Sequence, residues 1–228
     1  MRAQRLWAAA LAGAVLVSCG LDADDLLEPA APVAPSAEGA SVSGPTGGEL
    51  ARPRVAAEDP ARIRYDRDQW QPHGWEDADR DGCNTREEVL LSEGRDVVTG
   101  PGCRILSGAW TDLFTGRELT SPSRLEVDHL VALGDAHRSA GWAWPAERKV
   151  AFANDLEDPD ALNAVEGAVN QAKADYGPDR WLPQPGSTAR CRYVAAYARI
   201  KARWDLTVTP QQWAAIERVW AGCATIGS

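Results

Sequence analysis

The sequence lacks any apolar run of the roughly 18 residues that would propose a membrane-spanning helix. It lacks cysteines at CxxC spacing, which argues against a metal site built from four thiolates. Its 228 residues hold three histidines, His73, His129 and His137, so imidazole chemistry has few places to sit. It has no internal repeat, which sets aside solenoids and propellers. It also lacks an excess of positive charge, with 24 bases against 33 acids and a formal net charge of −9. That argues against a chain that coats nucleic acid non-specifically, while leaving room for a nuclease with a local basic groove. What remains is of ordinary globular composition, 44% hydrophobic and 25% charged. The length suits one domain plus something extra. Ten tryptophans supply large apolar rings, each with one polar N–H, suited to cores and binding surfaces.

The first 60 residues differ from the rest. Arg2 and Arg5 precede a short apolar stretch, Leu6 to Val17, and then Leu16-Val17-Ser18-Cys19. Residues 1–19 therefore read as an export signal with a bacterial lipobox, in which Cys19 would carry the lipid and become the mature N-terminus. Full secretion is the alternative. Residues 20–60 are rich in Ala, Pro, Gly and Ser and hold eight acids against two bases. Without a sustained apolar period they read as a disordered acidic tether. Residues 61–228 are expected to form the folded domain.

Setting Cys19 aside leaves Cys83, Cys103, Cys191 and Cys223, which allow three connectivities. Local loop closure favours Cys83–Cys103 and Cys191–Cys223. A helix is expected over about 86–93, opened by a Thr85/Glu88 capping box and closed by Gly94. Cys103 to Trp110 reads as a strand, and Leu125 to Leu133 as a strand running into a helix. Pro145 opens another helix through about Asn154. A short helix carries Asn170 and Lys173. Ser187 or Thr188 opens a longer one with Tyr193, Tyr197, Ile200 and Trp204 on one apolar face. Thr209-Pro210 starts the last. The class is α+β, mostly helical with a small β-hairpin.

The chemistry centres on Asp128-His129. Neighbouring strand residues point to opposite faces, so the pair can divide two tasks. The carboxylate can hold a divalent cation while the imidazole takes a proton from water. Asn170 can add a neutral oxygen ligand of the kind Mg2+ accepts. Lys173, on the same side of its helix, is expected to meet a phosphate. His73 and His137 have no such pattern and read as structural or surface residues.

Asp128-His129-Leu130-Val131, Phe152-Ala153-Asn154-Asp155-Leu156, Asn170-Gln171-Ala172-Lys173 and Trp181-Leu182-Pro183 together resemble the HNH (ββα-metal) nucleases. The nearest group is exported bacterial proteins with a GmrSD-type C-terminal domain. Asp81-Gly82-Cys83-Asn84-Thr85-Arg86-Glu87-Glu88-Val89-Leu90, Ser107-Gly108-Ala109-Trp110, Cys191-Arg192-Tyr193 and Ile200-Lys201 extend the resemblance over roughly residues 62–206. It implies a ββα-metal core with Asp128-His129 on a strand and Asn170 on the helix. His129 would be the general base, and Asp128 and Asn170 would hold one Mg2+ or Mn2+. The products would carry a 5′ phosphate and a 3′ hydroxyl. The middle asparagine of the motif is Asn154 or Asn163, with Asn154 favoured. The sequence departs from the family at Ala132 and Ala174, where the family often has Pro and Gly.

Two further features stand beside this core. Asp77, Asp79, Asp81 and Glu88 fit the spacing of an EF-hand Ca2+ loop. The flanks fit less well, since Pro72 and Gly74 interrupt the segment before the loop. A solvated acidic loop at a helix N-terminus is the plainer reading. Arg192, Arg199 and Arg203 form a stripe that could track a phosphate backbone, against the commoner solvated face. Arg86 is expected to face the active site, because Thr-Arg recurs in the family. The reading as a whole is a surface lipoprotein with a metal-dependent nuclease domain acting on extracellular DNA, or RNA. The alternative is a non-catalytic, Ca2+-stabilised envelope lipoprotein that binds a partner or wall polymer on a nuclease-like scaffold.

Overall fold

The computed structural model describes residues 50–58, 64–184 and 188–223. The export signal, Cys19, the tether up to residue 49 and Ser187 lie outside the described residues. The elements in chain order are β1 (Arg54–Val55), α1 (Thr85–Glu93), β2 (Arg95–Thr99), β3 (Ile105–Thr111), β4 (Glu118–Leu119), β5 (Leu125–His129), α2 (Leu133–Arg138), α3 (Ala146–Ala153), β6 (Leu162–Glu166), α4 (Gly167–Lys173), α5 (Thr188–Arg203), β7 (Thr207–Val208) and α6 (Pro210–Cys223). The class is mixed α and β, as the sequence reads. No helix among the described residues is long and apolar enough to cross a membrane.

Three small sheets carry the strands: β1 with β7 in parallel, β2–β3–β4 antiparallel, and β5 with β6 antiparallel. The two strands legible in the sequence, β3 and β5, therefore pair with other strands and not with each other. The partner of β5 escaped because all five residues of Leu162–Glu166 are buried. A strand buried on both faces has no alternation, and a short apolar run does not announce its type. Residues 50–58 correct the expected tether. Arg54 and Val55 pair with Thr207 and Val208, and Leu50 packs against the main core. The strand pairing with β7 and the partial burial of Leu50 outweigh the local Ala/Pro composition there.

The core has two parts. One gathers Trp70, Phe114, Leu130, Phe152, Tyr193, Tyr197, Ile200 and Ile216. The expected α5 stripe supplies Tyr193, Tyr197 and Ile200, all buried, while Trp204, Trp144 and Trp181 pack against it half-buried. The other places Val89 and Leu90 of α1 against Ile105, Trp110, Val127 and Leu162. Both expected disulfides are formed, Cys83–Cys103 and Cys191–Cys223.

Helix α1 starts differently from the expected capping box. Asn84 is the N-cap, its side chain accepting from the Arg86 and Glu87 amides. Thr85 instead donates its hydroxyl to the Glu76 carbonyl and to Asn154 Oδ1, at 2.9 Å each. Gly94 does end the helix, for want of space. An added Cβ would stand 2.7 Å from both the Leu90 carbonyl and Trp110 Nε1. The outer edge of β6 is closed by carboxylates, with Glu93 accepting from the Ala164 amide at 2.9 Å and Asp112 from the Glu166 amide at 2.7 Å. Buried strand amides need partners, and here side chains replace a third strand.

Candidate active site

Strand β5 runs antiparallel to β6, and α4 follows β6 directly and packs on both strands. Alternation along β5 puts Glu126 and Asp128 on one face. Gly167 opens α4 against that face. A Cβ there would stand 2.9 Å from Glu126 Oε1, so any larger residue would have to push the Glu126 carboxylate aside. The result is an open pocket of roughly 400 Å³ whose lining includes Tyr65, Arg67, Glu126, Asp128, His129 and Asn170. The structure thus brings Asp128, His129 and Asn170 together, as the sequence reading requires.

His129 is fixed from two sides. Its Nε2 lies 2.9 Å from the Ala153 carbonyl, and a carbonyl only accepts, so Nε2 carries the proton. Nδ1 is left as the ring's acceptor. Trp75 stacks on the ring at 5.2 Å and 13°. Burial pushes the His129 pKa down to about 3, with the Arg67 and Lys173 cations adding to the fall, so the ring is neutral at physiological pH.

Asp128 is 3% exposed. Its Oδ1 accepts from Lys173 at 2.8 Å, while the buried Oδ2 has no hydrogen-bond partner. Burial raises its pKa to about 6 against the opposing pull of Lys173. An unpartnered carboxylate oxygen in such a place favours a cation or a proton. Asn170 donates from Nδ2 to Glu126 at 2.8 Å, which turns its amide oxygen away from that carboxylate. One carboxylate oxygen, one amide oxygen and an open, solvated pocket suit Mg2+ or Mn2+, which keep several waters.

Several expected roles do not survive. Lys173 is fully buried, bonded to Asp128 and to the His129 carbonyl at 2.9 Å, and cannot reach a phosphate. Among the described residues the side chain of Asn154 makes no hydrogen bond to Asp128 or His129. It accepts from the Glu76 amide and Thr85 and donates to the Val150 carbonyl. Its neighbour Ala153 supplies the carbonyl that holds the histidine. Asn163 sits opposite Asp128 in the β5–β6 register and donates to the Asp160 carbonyl at 2.8 Å, which suits a loop-holding role better. Arg86 contacts Glu87 and the Leu125 carbonyl and does not line the pocket. Arg192 and Arg199 are bound to Asp160 and Asp158, and Arg203 to Asp155 and Glu157, so acids of the loop between α3 and β6 pair with every arginine of the α5 stripe.

Sequence reasoning missed Glu126, Arg67 and Trp75. Glu126 had a signal, two residues before Asp128 on the same strand face. Arg67 and Trp75 come from distant loops and had none.

In the acidic loop, oxygens of Asp77, Asp79 and Asp81 lie within 4.8 Å of one another, as do ligand atoms of Asp81, Cys83 and Glu88. Cys83 is in a disulfide, so its sulfur is not a thiolate ligand. Asn84 takes the capping task, which leaves the Glu88 side chain uncommitted to it. Partial burial and the three aspartates raise the Glu88 pKa.

No known family model matches the chain. No solved structure matches it either. An "Uncharacterized secreted protein" of Arthroderma benhamiae is 36% identical over 141 residues, covering 62% of this chain and 68% of that protein. The chain belongs to the same family as that secreted protein.

Proposed function

We propose that this protein is an exported, metal-dependent phosphodiesterase of the HNH type, cleaving DNA, or RNA, with little sequence specificity. The observation that carries the reading is the Asp128-His129 pair. One residue is a buried carboxylate with an unpartnered oxygen, and its neighbour is a neutral imidazole locked in one tautomer, both on one pocket. The order strand, strand, helix around that pocket agrees with a ββα-metal core. Two disulfides and a secreted relative support export, since disulfides persist in oxidising compartments. Anchorage through a lipid on Cys19 is part of the proposal and rests on Leu16-Val17-Ser18-Cys19.

Asp128 Oδ2 and the Asn170 amide oxygen would hold the cation, which when bound stabilises charge on the phosphate and on the departing 3′ oxygen. His129 accepts a proton from water at Nδ1, the nitrogen its bond to Ala153 leaves free. The Ala153 carbonyl and Trp75 keep the ring from rotating away. Lys173 holds Asp128 Oδ1 and the His129 carbonyl together, so the two residues keep a fixed relation.

Plasmid nicking by the oxidised full chain tests the reading, with Mg2+ or Mn2+ against EDTA. The full chain is needed because a fragment beginning at residue 61 would lose β1. The expected result is metal-dependent nicking that His129→Ala abolishes while the fold is kept. A folded sample that cleaves neither plasmid, single-stranded DNA nor RNA overturns the proposal.

A further inference from the structure

The site needs a cation for the substrate phosphate, and the four cationic residues expected from the sequence are buried, paired or elsewhere. The pocket lining contains another. Arg67 is exposed and lines the same pocket as Asp128, His129 and Asn170.

The side chain is placed by its surroundings. Arg67 opens a single 3-10 turn, Arg67–Gln69, whose N-cap Asp66 accepts from the Asp68 amide at 3.1 Å. The Arg67 carbonyl accepts from the Trp70 amide at 2.9 Å and the Gln71 amide at 3.0 Å. Trp70 is fully buried in the main core, which anchors the turn. Gln71 is buried too, and its Oε1 accepts from the guanidinium at 2.6 Å. A buried, neutral amide thus aims Arg67 without neutralising it.

The carboxylates of the pocket are otherwise engaged. Asp175 accepts from Arg138 at 2.6 Å, Asp128 from Lys173, and Glu126 from the amides of Asn170 and Gln171. Among the described residues Arg67 makes no ion pair, and its side-chain hydrogen bond is to Gln71 alone. A planar guanidinium with donors to spare, held at the mouth of a pocket, matches the paired oxygens of a phosphodiester.

We infer that Arg67 is the residue that binds the substrate's phosphodiester at this site, in place of Lys173, Arg86, Arg192 and Arg199. The inference rests on the phosphodiesterase reading for the identity of the ligand. Its test uses the oxidised full chain in two arms. The first measures binding of a fluorescein-labelled single-stranded DNA 12-mer in EDTA by anisotropy, over a range of salt. The second measures Mn2+-dependent cleavage of the same oligonucleotide.

Arg67→Ala should weaken binding about tenfold or more and reduce the dependence of log affinity on log salt by about 0.7–1, the loss of one phosphate contact. In cleavage, KM should rise about tenfold with a smaller change in kcat. Arg67→Lys should restore part of the affinity, since it keeps the charge and loses the fork. Arg180→Ala, an exposed arginine stacked on Tyr176, serves as the control and should match wild type. An Arg67→Ala chain with wild-type KM, affinity and salt slope overturns the inference while leaving the nuclease in place. A wild-type chain that cleaves nothing sinks the nuclease. In that case a 12-mer bound by wild type and released by Arg67→Ala keeps the anion site, and equal binding by both removes it.

Discussion

Replacing Glu93 by glutamine should stabilise this protein at neutral and alkaline pH. The carboxylate sits at the end of α1 and caps the outer edge of β6, accepting from the Ala164 amide at 2.9 Å. Burial raises its pKa from the ordinary 4.5 to about 7, against the smaller opposing pulls of that amide and of Arg192. An acid whose pKa is raised by folding favours the fold in its protonated form. Its contribution is fully present below about pH 4.5 and is lost as the pH climbs through about 7. At 1.36 kcal/mol per pH unit the rise corresponds to about 3 kcal/mol. Glutamine keeps the accepting oxygen and carries no charge. Glu93→Gln should therefore match wild type near pH 4 and exceed it by up to about 3 kcal/mol at pH 8. For a domain of this size that is about 6–12 °C in Tm. Thermal and urea unfolding followed by tryptophan fluorescence, disulfides intact, would measure both. The difference between the two chains isolates Glu93 from Asp128, whose pKa is also raised. A variant that loses the same stability at pH 4 and pH 8 would refute the reasoning, because the loss would then be one of packing and not of charge.

Two other perturbations address the site and the acidic loop. Lys173→Met strands Asp128 without its buried counter-charge and should cost about 3–5 kcal/mol at neutral pH, with Asp128→Asn in the same chain recovering part. Urea unfolding that finds Lys173→Met as stable as wild type would show the pair to be dispensable. If Asp77, Asp79 and Asp81 bind Ca2+, millimolar Ca2+ should raise Tm over EDTA, and Asp79→Asn should remove the rise. Equal Tm in Ca2+ and EDTA would dismiss the site, and with it the Ca2+-stabilised, non-catalytic reading.

The elements that could be read from the sequence are those whose signal is local. Helix α5 announced itself through Tyr193, Tyr197 and Ile200, because one buried face at helical spacing leaves a period in the chain. Helix α6 did so through Pro210, whose fixed backbone suits a first turn. The disulfides followed from counting, since Cys83–Cys103 and Cys191–Cys223 each close a short loop. Strands β1 and β6 left no such mark. The first is two residues in a Pro/Ala stretch, given its conformation by β7, and the second is buried along its whole length.

The candidate site divides the same way. The sequence alone determined which chemical groups were available: Asp128 beside His129 on a strand, Asn170 on a helix, cysteines suited to an oxidising compartment. Tertiary structure decided which groups were usable, because charge state and reach depend on what folds alongside. It buried Lys173 against Asp128, matched Arg192 and Arg199 to the 155–160 loop, and held His129 by a carbonyl from α3. It also brought Arg67 to the pocket from some sixty residues upstream. Residue type is a property of the chain, but a pKa, a tautomer and an unpaired charge are properties of the neighbours. Those neighbours meet only when the chain folds.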